Sequence, residues 1–132
     1  SNTRADKEKG MRVLLVDDEM ELVSTLAERL QIRGIDAEWV TDCQSALDLV
    51  KTKTFDIALL DVKLPSMNGL ELKRRLEIER PGMKYIFVTG HGSEDDFNAC
   101  SAESGCEYYL IKPVQIDVLM NKLTEIFQGG QG

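Results

Sequence analysis

"VLLVDDEMEL", residues 13–22, passes from four apolar residues straight into Asp17, Asp18 and Glu19, and a helical pattern begins at once. A continuous apolar run of that length reads as a strand covered on both faces, the kind that builds parallel sheets. Carboxylates crowded where such a strand ends call for a partner of opposite charge, and the rest of the chain shows where one would come from.

Four more short apolar runs follow, at Ile35–Val40, Ile57–Leu60, Tyr85–Thr89 and Tyr108–Ile111, each separated from the next by a stretch of helical period. Leu22, Leu26 and Leu30 recur every four residues with Val23 on the same face, and Gly34 is placed to end that helix in the left-handed conformation. The second helix is expected over Gln44–Lys51, with Ala46, Leu47 and Val50 inward. The third is expected over Leu70–Glu79, with Leu72, Leu76 and Ile78 inward and Pro81-Gly82 as its stop. Ser93 ahead of Glu94-Asp95-Asp96 reads as the cap of a fourth helix closed by Gly105, and the fifth runs from Ile116 to Phe127. This alternation predicts an α/β fold, a doubly wound (βα)5 arrangement around a five-stranded parallel sheet.

Length and composition fit that reading. The 132 residues suffice for one domain with a real core, and 42% hydrophobic with 30% charged residues fits a globular chain. Residues 1–10 and 129–132 are polar or glycine-rich and are expected to be disordered, the first stretch including a possible cloning remnant, which leaves 11–128 as the domain. The net charge of −7 with no basic block speaks against direct nucleic-acid binding. No apolar run approaches a membrane span, and "MRVLLV" is too short for a signal peptide, so the expected location is cytoplasmic. Cys43, Cys100 and Cys106 are odd in number and lack paired spacing, and are expected to be buried or idle thiols.

In a parallel sheet the residues just past each strand end meet on one edge, where doubly wound folds hold their ligands. Here those residues are Asp17 and Asp18, Asp61, Thr89 and Lys112. Two unit charges about 4 Å apart repel by about 4 kcal/mol at an effective dielectric of 20, so three gathered carboxylates favour a hard divalent cation such as Mg²⁺, which accepts carboxylates and keeps room for phosphate oxygens. Lys112 and Thr89 add donors for a phosphoryl group, with Asp61, flanked on both sides, as the attacking oxygen. No glycine-rich phosphate loop follows the first strand, which disfavours nucleotide binding. Taken singly, Asp18 reads as a helix cap, Thr89 as a strand end and Lys112 as a surface lysine before Pro113; only their joint placement argues for chemistry. His91, the one histidine, reads as a solvated loop residue.

The segments "VLLVDDE", "DIALLDVKLPSMNGLEL", "IFVTG" and "GCEYYLIKP" together resemble the response-regulator receiver domains of bacterial two-component signalling, in order and spacing and over nearly the whole ordered chain. The resemblance implies a flavodoxin-like strand order 2-1-3-4-5. It implies Asp61 as phosphoacceptor from a phosphohistidine on a sensor histidine kinase or histidine phosphotransfer protein. It further implies Mg²⁺ held by Asp18, Asp61, Asp17 directly or through water, and the backbone carbonyl of Lys63. Lys112 would contact the phosphoryl oxygens, with a cis bond to Pro113. Thr89 and Tyr109 would switch the face made by the fourth helix, fifth strand and fifth helix, through which a downstream effector domain or protein, or a second copy in a homodimer, would be engaged. Asn68 and Cys106 depart from the residues frequent in the family. Only "QGGQG" follows the fifth helix, so the chain is expected to be a stand-alone receiver or a fragment of a larger regulator or hybrid kinase.

Two other readings stand beside a signalling switch that is not an enzyme. One is a receiver-like binding module that never takes phosphate. The other is a small Mg²⁺-dependent phosphatase working through an aspartyl phosphate, which would need an acid two residues past the nucleophile, where this chain has Lys63.

Overall fold

The computed structural model describes residues 10–90, 98, 100–102 and 105–129. The strands are β1 (Arg12–Val16), β2 (Asp36–Val40), β3 (Ile57–Asp61), β4 (Lys84–Thr89) and β5 (Cys106–Ile111), and they form one sheet in the order β2-β1-β3-β4-β5 with every pair parallel. Helices α1 (Met20–Ile32), α2 (Cys43–Thr52), α3 (Gly69–Glu79) and a C-terminal helix (Ile116–Gly129) cover it. This is the doubly wound five-stranded fold and the strand order that the sequence leads one to expect.

The continuous apolar runs are explained by two cores, one on each side of the sheet. Leu14, Val16, Ala58, Leu60, Tyr85 and Phe87 point to one side and pack with Ala46 and Val50 of α2, Leu72 and Leu76 of α3, and Cys100. Val13, Leu15, Ile57, Leu59, Ile86 and Val88 point to the other and pack with Val23 and Leu30 of α1 and Leu119 and Leu123 of the C-terminal helix. Alternate residues of each strand serve opposite faces, so no position in β3 can be polar until the strand ends. Burying each such aliphatic side chain contributes about 1.5–3 kcal/mol, and the strands are fixed by it. Among the described residues, no helix is long and apolar enough to cross a membrane.

Helix ends follow their residue types. The Asp42 carboxylate accepts from the Ser45 amide at 2.7 Å and caps α2, while Asn68 Oδ1 accepts from the Glu71 amide at 2.9 Å and caps α3. Gly34 and Gly82 follow α1 and α3 with φ of +88° and +99°, where a Cβ would be strained.

Three expectations need correction or qualification. Ile78 does not face inward: it is 79% exposed, and Lys73 is buried instead. On a 3.6-residue period Gly69, Leu72, Lys73 and Leu76 share a face, and Ile78 lies about 200° around from Leu76. Lys73 tolerates burial because its ammonium reaches Glu77 Oε2 at 3.3 Å and lies 5.6 Å from the centre of the Tyr85 ring. Of the three cysteines, Cys43 is a buried free thiol as expected, but Cys100 and Cys106 are joined by a disulfide. Of the fourth helix, Cys100, Ser101 and Ala102 are helical and Gly105 has φ of +84°; its proposed cap Ser93, the acids 94–96 and His91 lie outside the described residues.

Candidate functional site

The parallel register brings the carboxyl ends of the strands to one rim. Val16 is the partner of both Val40 and Leu60, Asp61 is the partner of Val88, and Thr89 of Ile111. Asp17 therefore sits one residue past the end of β1, beside Asp61 at the end of β3. Both are buried, and Asp18 next to them is exposed. One carboxylate oxygen each from Asp17, Asp18 and Asp61 lie within 4.8 Å of one another.

The two buried carboxylates are held in the same manner. Asp17 Oδ1 accepts from the amide of Glu19 at 2.9 Å, and Asp61 Oδ1 accepts from the amide of Lys63 at 2.9 Å. Each acid thus spends one oxygen on the turn two residues ahead of itself. The other oxygens converge on one cation: Lys112 Nζ lies 2.8 Å from Asp17 Oδ2 and 3.2 Å from Asp61 Oδ2. Lys112 arrives from the end of β5, where its amide donates to the Thr89 carbonyl at 2.8 Å and its bond to Pro113 is cis. The helix-cap reading of Asp18 fails here. Glu19 occupies the cap position of α1 without a side-chain capping bond, and it is Asp17 that secures the turn.

A fourth acid, noted at the strand end but left out of the expected site, belongs to it. Glu19 Oε1 lies 2.8 Å from Lys112 Nζ, across 93 positions of sequence. The only signal for it was the third acid of "DDE", which an ordinary first-turn helix acid explains equally well.

The charges do not balance. Burial pushes the Asp17 carboxyl above its usual range, opposed by the Lys112 and Glu19 hydrogen bonds, and the neighbouring Asp61 charge pushes the same way as burial. Burial alone would lower the Lys112 ammonium, but its bonds to Asp17 and Glu19 and the charges of Asp17 and Asp61 outweigh it and raise its pKa. Lys112 therefore stays protonated across the physiological range, and among the described residues it is the cation that Asp17, Glu19 and Asp61 share. An all-oxygen donor set with excess negative charge suits a hard divalent cation, so these residues fit a metal of that class.

The loop that follows Asp61 is folded tightly under it. The Gly69 amide donates to the Val62 carbonyl at 2.7 Å, and Lys63 bridges Asn68. A Cβ at Gly69 would come 2.5 Å from the Asp61 carbonyl oxygen, so only glycine lets α3 begin this close to the acid. Thr89, fully buried, lies one residue beyond Asp61's strand partner. Tyr109 packs on the α2 and α3 side with its hydroxyl buried, whereas Tyr108 packs on the opposite side, donates to Glu125 and lies beneath Lys122, whose ammonium is 4.5 Å from its ring centre. Lys63 is exposed.

The site is thus a pair of buried acids and a lysine at the carboxyl rim of a doubly wound sheet. The chain belongs to the response regulator receiver domain family, which its residues 13–124 match. The transcriptional regulatory protein TcrA of Mycobacterium tuberculosis is 31% identical over 121 residues, covering 92% of this chain and 47% of TcrA. The alginate biosynthesis transcriptional regulatory protein AlgB of Pseudomonas aeruginosa is 33% identical over 113 residues, 85% of this chain and 25% of AlgB. The chain thus spans about half the length of the first relative and a quarter of the second. Among solved structures, a CheY-like receiver domain from Methanospirillum hungatei JF-1 matches with a TM-score of 0.84 at 32% identity, over 92% of this chain and 96% of its own. A response regulator from Burkholderia pseudomallei, solved with a phosphorylated aspartic acid, calcium ion and citrate, matches with a TM-score of 0.77 at 25% identity, over 92% of this chain and 71% of its own.

Proposed function

We propose that this chain is a phosphoacceptor receiver, folded over residues 11–128, that takes a phosphoryl group from a phosphohistidine partner onto Asp61 and acts on no other substrate. The observation that carries this is the convergence of Asp17 Oδ2 and Asp61 Oδ2 on Lys112 Nζ, with Asp18 within reach. Asp17, Asp18, Asp61 and the Lys63 carbonyl would hold Mg²⁺, which when bound would supply charge neutralisation to the acids and the phosphoryl oxygens. Asp61 Oδ2, its partner oxygen engaged by the Lys63 amide, is the oxygen that bonds phosphorus; the P–N bond to imidazole breaks, and the imidazole leaves with its electron pair. Lys112 follows the new charge, and the Burkholderia relative's phosphorylated aspartic acid supports this chemistry in the fold.

The added charge of about −1.5 to −2 units draws the Thr89 hydroxyl, and Tyr109 on the neighbouring strand responds. The readout face is the fourth helix, β5 and the C-terminal helix, where Ile111 and Val118 are exposed. Its partners are a sensor histidine kinase or histidine phosphotransfer protein upstream, and downstream an effector domain or protein, or a second copy; the names of the longer relatives point to transcription as one such output. A cytoplasmic location follows from these partners.

The test is incubation with a small phosphodonor and Mg²⁺ followed by intact mass. One adduct is expected, cleaved by hydroxylamine and missing in Asp61→Asn. An unchanged mass under conditions that label another receiver would make this a phosphate-independent binding module, and rapid turnover of phosphate esters would make it a phosphatase.

A further inference from the structure

Cys100 and Cys106 lie away from the acidic rim, on two elements of the proposed readout face. Cys100 is in the helical stretch 100–102 and buried, while Cys106 opens β5 and is partly exposed. Their Cα atoms are 6.0 Å apart, within the spacing a disulfide requires, and the sulfurs are bonded. Each sulfur also lies 3.9 Å from the Tyr108 carbonyl oxygen. Cys43, buried in α2, is a free thiol.

We propose that Cys100 and Cys106 form a reversible thiol–disulfide modification site that couples the redox state of low-molecular-weight disulfides to the receiver switch. The more exposed Cys106 thiolate attacks one sulfur of the small disulfide, whose S–S bond breaks and whose other half leaves as a thiolate and takes up a proton. The Cys100 thiolate then attacks the Cys106 sulfur and expels the second half as thiol. Two protein thiols lose two electrons and two protons, and one small disulfide becomes two thiols.

The link ties the helical stretch to the first residue of β5, three positions before Tyr109, and Cys106 and Tyr109 pack against the same core. A bond that fixes one spacing between helix and strand favours whichever arrangement has that spacing. By thermodynamic reciprocity, whatever rearranges β5 must then change the ease of oxidation by the same factor. This second part rests on the phosphoacceptor reading.

The whole chain equilibrated in buffers of varied reduced-to-oxidised glutathione ratio, quenched by alkylation and mapped by peptide mass, tests both parts. The expected result is a single intramolecular Cys100–Cys106 link that appears through a midpoint, disappears on reduction and persists in Cys43→Ser, whereas Cys100→Ser yields only glutathione on Cys106. Two thiols that stay alkylatable throughout, or a link formed only between chains, would overturn the site. Fluoroberyllate with Mg²⁺ is expected to move the midpoint about five-fold or more in the wild type and not in Asp61→Asn. An unmoved midpoint with fluoroberyllate bound, as read by ¹⁹F NMR, would overturn the coupling; failure of fluoroberyllate to bind at all would count against the phosphoacceptor reading instead.

Discussion

The two rims of the same sheet carry charge in opposite ways. At the amino-terminal rim three of the described cations each have a partner of their own. Arg12 Nε meets Asp36 Oδ2 at 3.0 Å, Lys84 meets Glu107 at 3.7 Å, and Arg80 Nε donates to the Val50 carbonyl at 2.6 Å. An open groove of about 590 Å³ lies there among Phe55, Arg80, Met83 and Phe127. At the carboxyl-terminal rim one ammonium is shared by Asp17, Glu19 and Asp61, with Asp18 alongside. Lys112 offsets only part of the repulsion among the gathered carboxylates. The imbalance of charge distinguishes this rim, and it is here that the acids could hold a metal ion.

The comparison breaks most severely at Lys112. Without divalent metal, Lys112→Ala should lower stability by about 3 kcal/mol, because Asp17 and Asp61 lose their cation while remaining buried. Mg²⁺ should bind this variant more tightly than the wild type, having no ammonium to displace, and restore most of the loss. Urea unfolding with and without Mg²⁺ reads both effects; an equal loss in the two conditions would mean that Lys112 and the metal do not share a site. Because the folded-state pKa of Lys112 is raised, the folded protein holds that proton more firmly than the unfolded chain. Its contribution is then complete below the ordinary value of 10.5 and fades as pH rises through the folded value, so wild type and variant should converge in alkali.

Asp42 sharpens the point, since it is an acid at the same rim whose partners are helix groups. The Ser45 amide first, and then the Ser45 hydroxyl, hold its carboxyl below the usual range. Asp42→Ala should cost about 1 kcal/mol, with or without Mg²⁺. A depressed carboxylate pKa stabilises above the unfolded value of 3.8 and stops doing so as pH falls through the folded value, so the difference should vanish in acid melts. Smallest of all, Arg12→Ala at the other rim should cost about 0.2–1 kcal/mol, reduced by salt and indifferent to Mg²⁺. A Mg²⁺-dependent effect at Arg12 would blur the contrast between the rims.

Much of this was legible in residue order alone, for definite reasons. Runs such as Ile57–Leu60 had to be buried on both faces, and a parallel sheet then carries Asp17, Asp61 and Lys112 to one rim whatever the detail of the helices. The order 2-1-3-4-5 was not in the periodicity and came from resemblance. Ile78 was misplaced because a helical face read from a few apolar residues is easily put out of phase, and the burial of Lys73 went unread because a lysine stem buries like an aliphatic chain once Glu77 meets its head. Glu19 was missed because its partner is remote in sequence, and the Cys100–Cys106 pair because a spacing of six matches no recurrent motif and becomes a contact only through the turn into β5.

Calorimetric titration of Mg²⁺ into the wild type and into Asp18→Ala tests the central claim most directly. One ion per chain for the wild type, with binding abolished or greatly weakened in the variant, is the outcome expected of a rim built around a metal and a phosphoryl group. Equal binding in both proteins, or no binding by the wild type at millimolar Mg²⁺, would contradict it.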